Sequence, residues 1–107
     1  MIQVDGASLS IEDVVAVARQ CEPVELPSKT RDVLAASRKK IESLLESGET
    51  AYGINTGFGE LSDVRISQEQ IAELQCNLIR SHACAVGDEL PEDIVRAMML
   101  LRANSLA

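Results

Sequence analysis

The stretch SKTRDVLAASRKKIESLLE, residues 28–46, decides the fold class. Val33, Leu34, Ser37, Ile41, Leu44 and Leu45 recur at intervals of three and four, the spacing that aligns one face of an α-helix. Gly48 follows where helices commonly stop in a left-handed residue, so the element has both a period and a terminator. Lys39, Glu42 and Glu46 fall on the other side and read as a solvated face.

The same period extends outward in both directions. Towards the N-terminus, Ser10 can cap a helix whose third residue, Asp13, completes an acidic variant of the capping box, with Ile11, Val14, Val15 and Ala18 on one face. That helix should end near Gln20, before a connector marked by Pro23 and Pro27. Met1 to Val4 read as a short strand and Asp5-Gly6 as a turn. Towards the C-terminus, Gly53, Gly57 and Gly59 break the period. Ser67-Gln68-Glu69-Gln70 reads as a second capping box, with Ser67 as the cap and Gln70 reaching back. A helix from Gln68 to about Ser81 should follow, carrying Ile71, Leu74, Leu78 and His82 along a stripe. Residues 83–90 read as a loop, and Pro91 suits the first turn of a last helix running towards Ala107. On that helix Ile94, Val95, Met98, Met99, Leu100, Leu101 and Leu106 spread apolar surface over more than one face, which asks for partners all round it. The expectation is a mainly α chain with at most short strands, without an internal domain boundary over residues 1–107, and made as a portion of a larger body.

Composition limits the partners. A length of 107 residues fits one small core. With 46% hydrophobic and 25% charged residues the chain is globular in type rather than disordered. Ten basic against seventeen acidic residues give a net charge of −7, and the densest basic cluster is Arg38-Lys39-Lys40. Nucleic acid and anionic membrane both need a concentrated basic footprint, so neither is expected as a partner. The longest apolar runs, residues 14–18 and 97–101, are far below the roughly 18 residues of a membrane span. Asp5, Glu12 and Asp13 precede the first basic residue, Arg19, the reverse of a targeting segment, which makes a cytoplasmic location the expectation. Cys21, Cys76 and Cys84 are odd in number and lack C-x-x-C spacing; buried free thiols in a reducing compartment are expected.

Two stretches concentrate residues that can carry chemistry. In YGINTGFG, residues 52–59, three glycines allow backbone geometry closed to other residues and close approach by a ligand. Asn55 and Thr56 can hydrogen-bond the loop to itself. The spacing is not G-x-G-x-x-G, so a nucleotide cradle is disfavoured. By composition alone the plainer reading prevails, a glycine-rich turn with Tyr52 and Phe58 packed as ordinary core. In RSHACAVG, residues 80–87, the only histidine stands among small neighbours at a helix end. It can serve as an acid or base, as a ligand-binding group, or as a satisfied helix-end residue, the commonest fate of a lone histidine. No partner stands at metal or triad spacing, so no metal site is expected. Cys84 is close to His82 in sequence, which does not by itself align a thiolate with an imidazole.

These stretches, followed in order by VRI at 64–66, QCNLIRSH at 75–82, LPEDIVR at 90–96 and NSLA at 104–107, resemble the N-terminal portion of the histidine ammonia-lyase family. The resemblance implies a mostly helical, homotetrameric enzyme several times longer than this chain. Such enzymes convert L-histidine to trans-urocanate and ammonia with a methylidene-imidazolone prosthetic group cyclised from an internal Ala-Ser-Gly. That triplet is absent: Ala7-Ser8-Leu9 and Ala36-Ser37-Arg38 lack the glycine. A fragment inactive by itself is therefore implied.

Carried over by position, Tyr52 matches the family's catalytic tyrosine, the base for the substrate's β-proton. Phenols ordinarily titrate near pH ~10, so the resemblance also implies positive potential around that base in the whole enzyme. His82 matches the histidine that engages the substrate imidazole, and the Ser81-His82 pair looks like histidine lyases more than their relatives. Gly53, Asn55, Thr56, Gly57, Phe58 and Gly59 match the active-site loop. Two alternatives stay open: a phenylalanine or tyrosine ammonia-lyase or aminomutase of the same superfamily, and a helical interaction module without chemistry.

Overall fold

The computed structural model describes the backbone of residues 1–107 and every side chain except that of Gln68. The order of elements is β1 (Ile2–Gln3), α1 (Ile11–Gln20), β2 (Val24–Glu25), α2 (Ser28–Ser47), a single 3-10 turn (Gly59–Leu61), α3 (Gln68–His82) and α4 (Glu92–Leu106). The chain is mainly α, as its periodicity requires. It gathers into two compact units, one formed by Met1–Ala36 with Asp88–Ala107 and the other by Ser37–Gly87.

In the first unit α1 begins with the expected capping box. The Ser10 hydroxyl accepts from the Asp13 N–H at 3.1 Å, and the Asp13 carboxylate accepts the Ser10 N–H at 3.0 Å. Hydrogen bonds from the Ser10 hydroxyl and N–H hold the Asp13 carboxyl below the usual carboxylate range. The helix stops at Cys21, whose φ of 58° takes the left-handed conformation usually left to glycine. Its inner face packs against α4 around Val4, Val17 and Leu100, with Ile2, Leu9, Val14 and Ala107 partly buried beside them. The Arg96 guanidinium donates to the Ala18 carbonyl and to the Glu92 carboxylate, closing the same helix pair on its polar side.

The proline-marked connector is in fact a strand. β1 and β2 pair in parallel, Ile2 opposite Val24 and Gln3 opposite Glu25. Pro23 flanks this ladder without breaking it, because its carbonyl accepts from the Ile2 N–H at 2.9 Å and its missing N–H is not needed. After β1, the Asp5 carboxylate accepts the Ala7 and Ser8 N–H groups at 2.9 and 2.8 Å, and these bonds bring its pKa down to about 2. Gly6 has a φ of +82°, and its N–H donates to the Asn104 side chain at 3.0 Å, tying the turn to the end of α4. Pro91 stands one residue outside α4. Its ψ of 142° is extended, so it caps the helix instead of opening its first turn.

In the second unit, Ile41, Leu44 and Leu45 of α2 are half-buried and Gly48 terminates the helix with a φ of +74°. Ile71, Leu74 and Leu78 of α3 are half-buried too, whereas His82, expected on that stripe, is exposed in the last turn. The second capping box does not form. The Ser67 hydroxyl donates to Gln70 Oε1 at 3.1 Å, while the Gln70 N–H donates to the Ser67 carbonyl at 3.0 Å and not to the hydroxyl that would have capped it. Nor are the cysteines buried: Cys21, Cys76 and Cys84 are free but exposed, at a helix end, on the outer side of α3 and beyond its end. Among the described residues no helix is long and apolar enough to cross a membrane.

Candidate active site

Tyr52 owes its position to a tight turn. The Ala51 carbonyl accepts from the N–H of Ile54 at 3.1 Å and of Asn55 at 3.2 Å, so Tyr52 and Gly53 occupy the outer corner. Gly53 has a φ of +74°, which explains a glycine directly after the tyrosine. Asn55 is buried and spends its amide on the loop, accepting the Ala51 N–H at 2.8 Å and donating to the Glu49 carbonyl at 2.7 Å. Thr56 is fully buried; its hydroxyl accepts the Gly53 N–H at 3.3 Å and donates to the Gly57 carbonyl at 3.0 Å.

The far side of the loop is closed by backbone. Gly57 donates to the Val64 carbonyl at 3.0 Å and Ile66 to the Asn55 carbonyl at 2.9 Å, around an antiparallel bridge between Thr56 and Arg65. Gly57 is required by contact, since a Cβ there would lie 2.6 Å from the Leu61 carbonyl oxygen. Gly59, with a φ of +58°, opens the 3-10 turn. Phe58 braces Tyr52 edge to face, with ring centroids 6.1 Å apart and planes at 77°. Tyr52 is nonetheless 66% exposed, so it is not the ordinary core residue that composition favours.

Ser81 and His82 form the last turn of α3. The Ser81 hydroxyl donates to the Leu78 carbonyl at 2.8 Å, and His82 Nδ1 lies 2.9 Å from that carbonyl and 3.0 Å from the Ser81 oxygen. A carbonyl only accepts, and the single hydroxyl proton is already committed to it. The network therefore puts a proton on Nδ1, so that the neutral form of the ring has its lone pair on Nε2. Cys84 makes a weak contact with the Ser81 carbonyl at 3.7 Å, not with the imidazole, so a thiolate–imidazole pair is not built here. Residues 81–90 are all exposed. Among the described residues there is no group of three or more His, Cys, Asp or Glu side chains arranged for a metal ion.

One contact was invisible in the sequence. Gln75, in the middle of α3, donates from Nε2 to the Gly53 carbonyl at 3.2 Å and so joins the Tyr52 loop to the helix that ends in His82. A glutamine inside a helix carries no signal of such a role. Only its place in QCNLIRSH set it apart.

The family model described as aromatic amino acid lyase matches residues 9–107. The chain belongs to the aromatic amino acid lyase family. It is 51% identical over 107 residues to a probable histidine ammonia-lyase of Thermoplasma volcanium, covering 100% of this chain and 22% of that protein. It is 53% identical over 106 residues to a histidine ammonia-lyase of Treponema denticola, covering 99% and 21%. Its backbone matches tyrosine aminomutase from Streptomyces globisporus with a TM-score of 0.92 at 35% identity, over 98% of this chain and 20% of that one. This lyase chain thus spans about a fifth of the length of the curated relatives it matches. The fold is shared between lyases and aminomutases, so the backbone alone does not select a substrate.

Proposed function

We propose that the chain is the N-terminal part of a histidine ammonia-lyase, which removes ammonia from L-histidine without oxidation and yields trans-urocanate. The observation that carries this reading is an exposed Tyr52 on a hydrogen-bonded loop in the same chain unit as an exposed His82 whose Nδ1 is bound to the Leu78 carbonyl, so that Nε2 faces no protein partner among the described residues. Identities of 51% and 53% to proteins named as histidine ammonia-lyases support the substrate. The runner-up is a tyrosine aminomutase or related aromatic lyase, favoured by the match at a TM-score of 0.92. An accepting nitrogen at His82 favours a substrate that can donate to it, an imidazole N–H or a phenol hydroxyl, over the apolar ring of phenylalanine, and between those two the identities to histidine ammonia-lyases favour histidine.

Tyr52 and its loop fit a methylidene-imidazolone site: side-chain bonds of Asn55 and Thr56 fix the loop backbone, and the phenol it carries stands exposed at the corner of the turn. Neither Ala-Ser pair here is followed by glycine, so the group would come from residues outside these 107. When bound, that group supplies the electrophile that activates the amino acid for loss of its amino group. Tyr52 takes the β-proton at its phenolic oxygen, and His82 binds the imidazole of the substrate. The exposed apolar side chains of α4, among them Met98, Met99 and Leu101, support burial of this helix in a larger body, which the resemblance takes to be a homotetramer. A net charge of −7 over these 107 residues argues against nucleic-acid or anionic-membrane partners for this part, and a cytoplasmic location follows from the resemblance to metabolic lyases.

Steady-state kinetics of the full-length enzyme test this. Tyr52→Phe should lower kcat by about 10² to 10⁴ with little change in KM, since only the proton-accepting hydroxyl is lost. His82→Leu should weaken histidine use and admit phenylalanine. The isolated 107-residue chain should form no urocanate above background, read by its ultraviolet absorbance. An unchanged kcat in Tyr52→Phe, or urocanate from the isolated chain, would refute the reading.

A further inference from the structure

We propose that Gln75 is a positioning residue for Tyr52: its amide holds the Gly53 carbonyl and thereby fixes where the phenol stands along α3. The inference rests on the reading of Tyr52 as the base and adds the residue that aims it.

Internal bonds account for the shape of the loop but not for its placement. Asn55 serves Ala51 and Glu49, and Thr56 serves Gly53 and Gly57, all within the loop or at its edge. Gln75 reaches in from a separate helix, 22 residues away in sequence, and its bond of 3.2 Å is partly buried. The carbonyl it holds belongs to the residue after Tyr52, at the corner of the turn. With its N–H on Thr56 and its carbonyl on Gln75, Gly53 is gripped on both polar groups, so the peptide next to Tyr52 cannot rotate freely.

The choice of helix matters as much as the bond. Gln75 and His82 are seven residues apart on α3, about two turns and roughly 10 Å of rise. One rigid helix therefore carries both the group proposed to hold the substrate ring and the tether of the loop proposed to take its proton. Displacement of a reacting group by about 1 Å can cost on the order of 10²-fold in rate. A glutamine meets the requirement because it is a neutral donor long enough to cross from helix to turn. A carboxylate in its place would face the Gly53 carbonyl with acceptor against acceptor.

The experiment is a double-mutant cycle in the full-length enzyme, with kcat and KM for histidine measured over a range of pH. Gln75→Ala should lower kcat about ten- to a hundredfold while KM stays within about threefold. In a Tyr52→Phe background the same substitution should cause almost no further loss, because the aimed group is already gone. Gln75→Glu keeps size and fold; its activity relative to the parent should rise as pH falls, since the protonated acid regains a donor for Gly53. Equal losses from Gln75→Ala in both backgrounds would overturn the proposal while leaving Tyr52 as the base. A flat relative pH profile for Gln75→Glu would overturn it as well. If Tyr52→Phe itself kept the parent kcat, the base assignment and this inference would fall together.

Discussion

In the unit formed by Met1–Ala36 and Asp88–Ala107 the buried side chains are mostly apolar, Val4, Val17, Ala18 and Leu100, with Thr30 beside them; in Ser37–Gly87 the buried residues are Asn55, Thr56 and Gly57. The first unit is held by area removed from water, which is insensitive to direction. The second is held at its loop by donors and acceptors that must meet in one geometry. The functional candidates lie in the second unit. A site that has to keep an exposed phenol at a fixed point gains more from directional bonds than from apolar area, and the two kinds of cohesion should break differently.

The largest loss of stability is expected from Leu100→Ala. It empties the space against Val4 and Val17, and truncations of this kind cost about 2–5 kcal/mol. Urea unfolding of the 107-residue chain measures it. A loss below about 1 kcal/mol would mean that the cluster closes over the gap and is not the anchor of the unit.

Asn55→Ala sharpens the contrast from the other side. It leaves the Ala51 N–H and the Glu49 carbonyl without their partners, each group at a cost of about 1–3 kcal/mol if it stays out of water. The effect should be local. Amide exchange should quicken at Ile54 and Ile66, which donate within the loop, while Val17 in α1 keeps its protection. Equal quickening in both places would show that the two kinds of cohesion are not separable.

The same contrast explains what the sequence reveals. Apolar burial on helices leaves a period, so α1, α2 and α3 are legible to within a residue or two from Val14, Leu34, Ile41, Ile71 and their neighbours, α4 from its run of apolar residues, and caps such as Ser10 and Gly48 confirm the ends. The pairing of Ile2–Gln3 with Val24–Glu25 is not legible, because a two-residue parallel strand next to a proline has no period and its partner is distant. At the site, the glycines announce a special loop and family resemblance picks out Tyr52 and His82. Gln75 and the assignment of the His82 proton stay hidden because each depends on a carbonyl, Gly53 or Leu78, whose availability no side-chain pattern encodes. The cysteines mislead for a related reason: a default from redox compartment says nothing about which side of α3 Cys76 occupies.

A smaller effect is expected at the start of α1. Ser10→Ala removes the acceptor for the Asp13 N–H and the donor to its carboxylate, a loss of about 0.5–2 kcal/mol by analogy with other N-caps. Ser10→Thr should recover most of it, because its hydroxyl still accepts from the Asp13 N–H and donates to the Asp13 carboxylate, whereas Ser10→Asp should recover less, since it sets two carboxylates against each other. Failure of the threonine to recover stability would place the contribution outside the capping box.

The smallest expected effect is the acid dependence set by Asp5. Its folded pKa is lowered from 3.8 to about 2, chiefly by the Ser8 and Ala7 N–H groups that it accepts in the turn after β1. Because the folded value lies below the unfolded one, the unfolded chain binds more protons between the two. The contribution is therefore fully present above pH 4 and is lost as pH falls from about 4 towards 2. Asp13, lowered by Ser10, acts in the same direction. Asp5→Asn keeps an oxygen that accepts from Ala7 and Ser8 but cannot titrate, so its unfolding free energy should fall less steeply over that interval than the parent's. Both carboxylates belong to the first unit, where they hold turns that the apolar core leaves at the surface. If Asp5→Asn and the parent lost stability at the same rate over this interval, the turn would be held by Gly6 on Asn104, and the Asp5 bonds would follow the fold without supporting it.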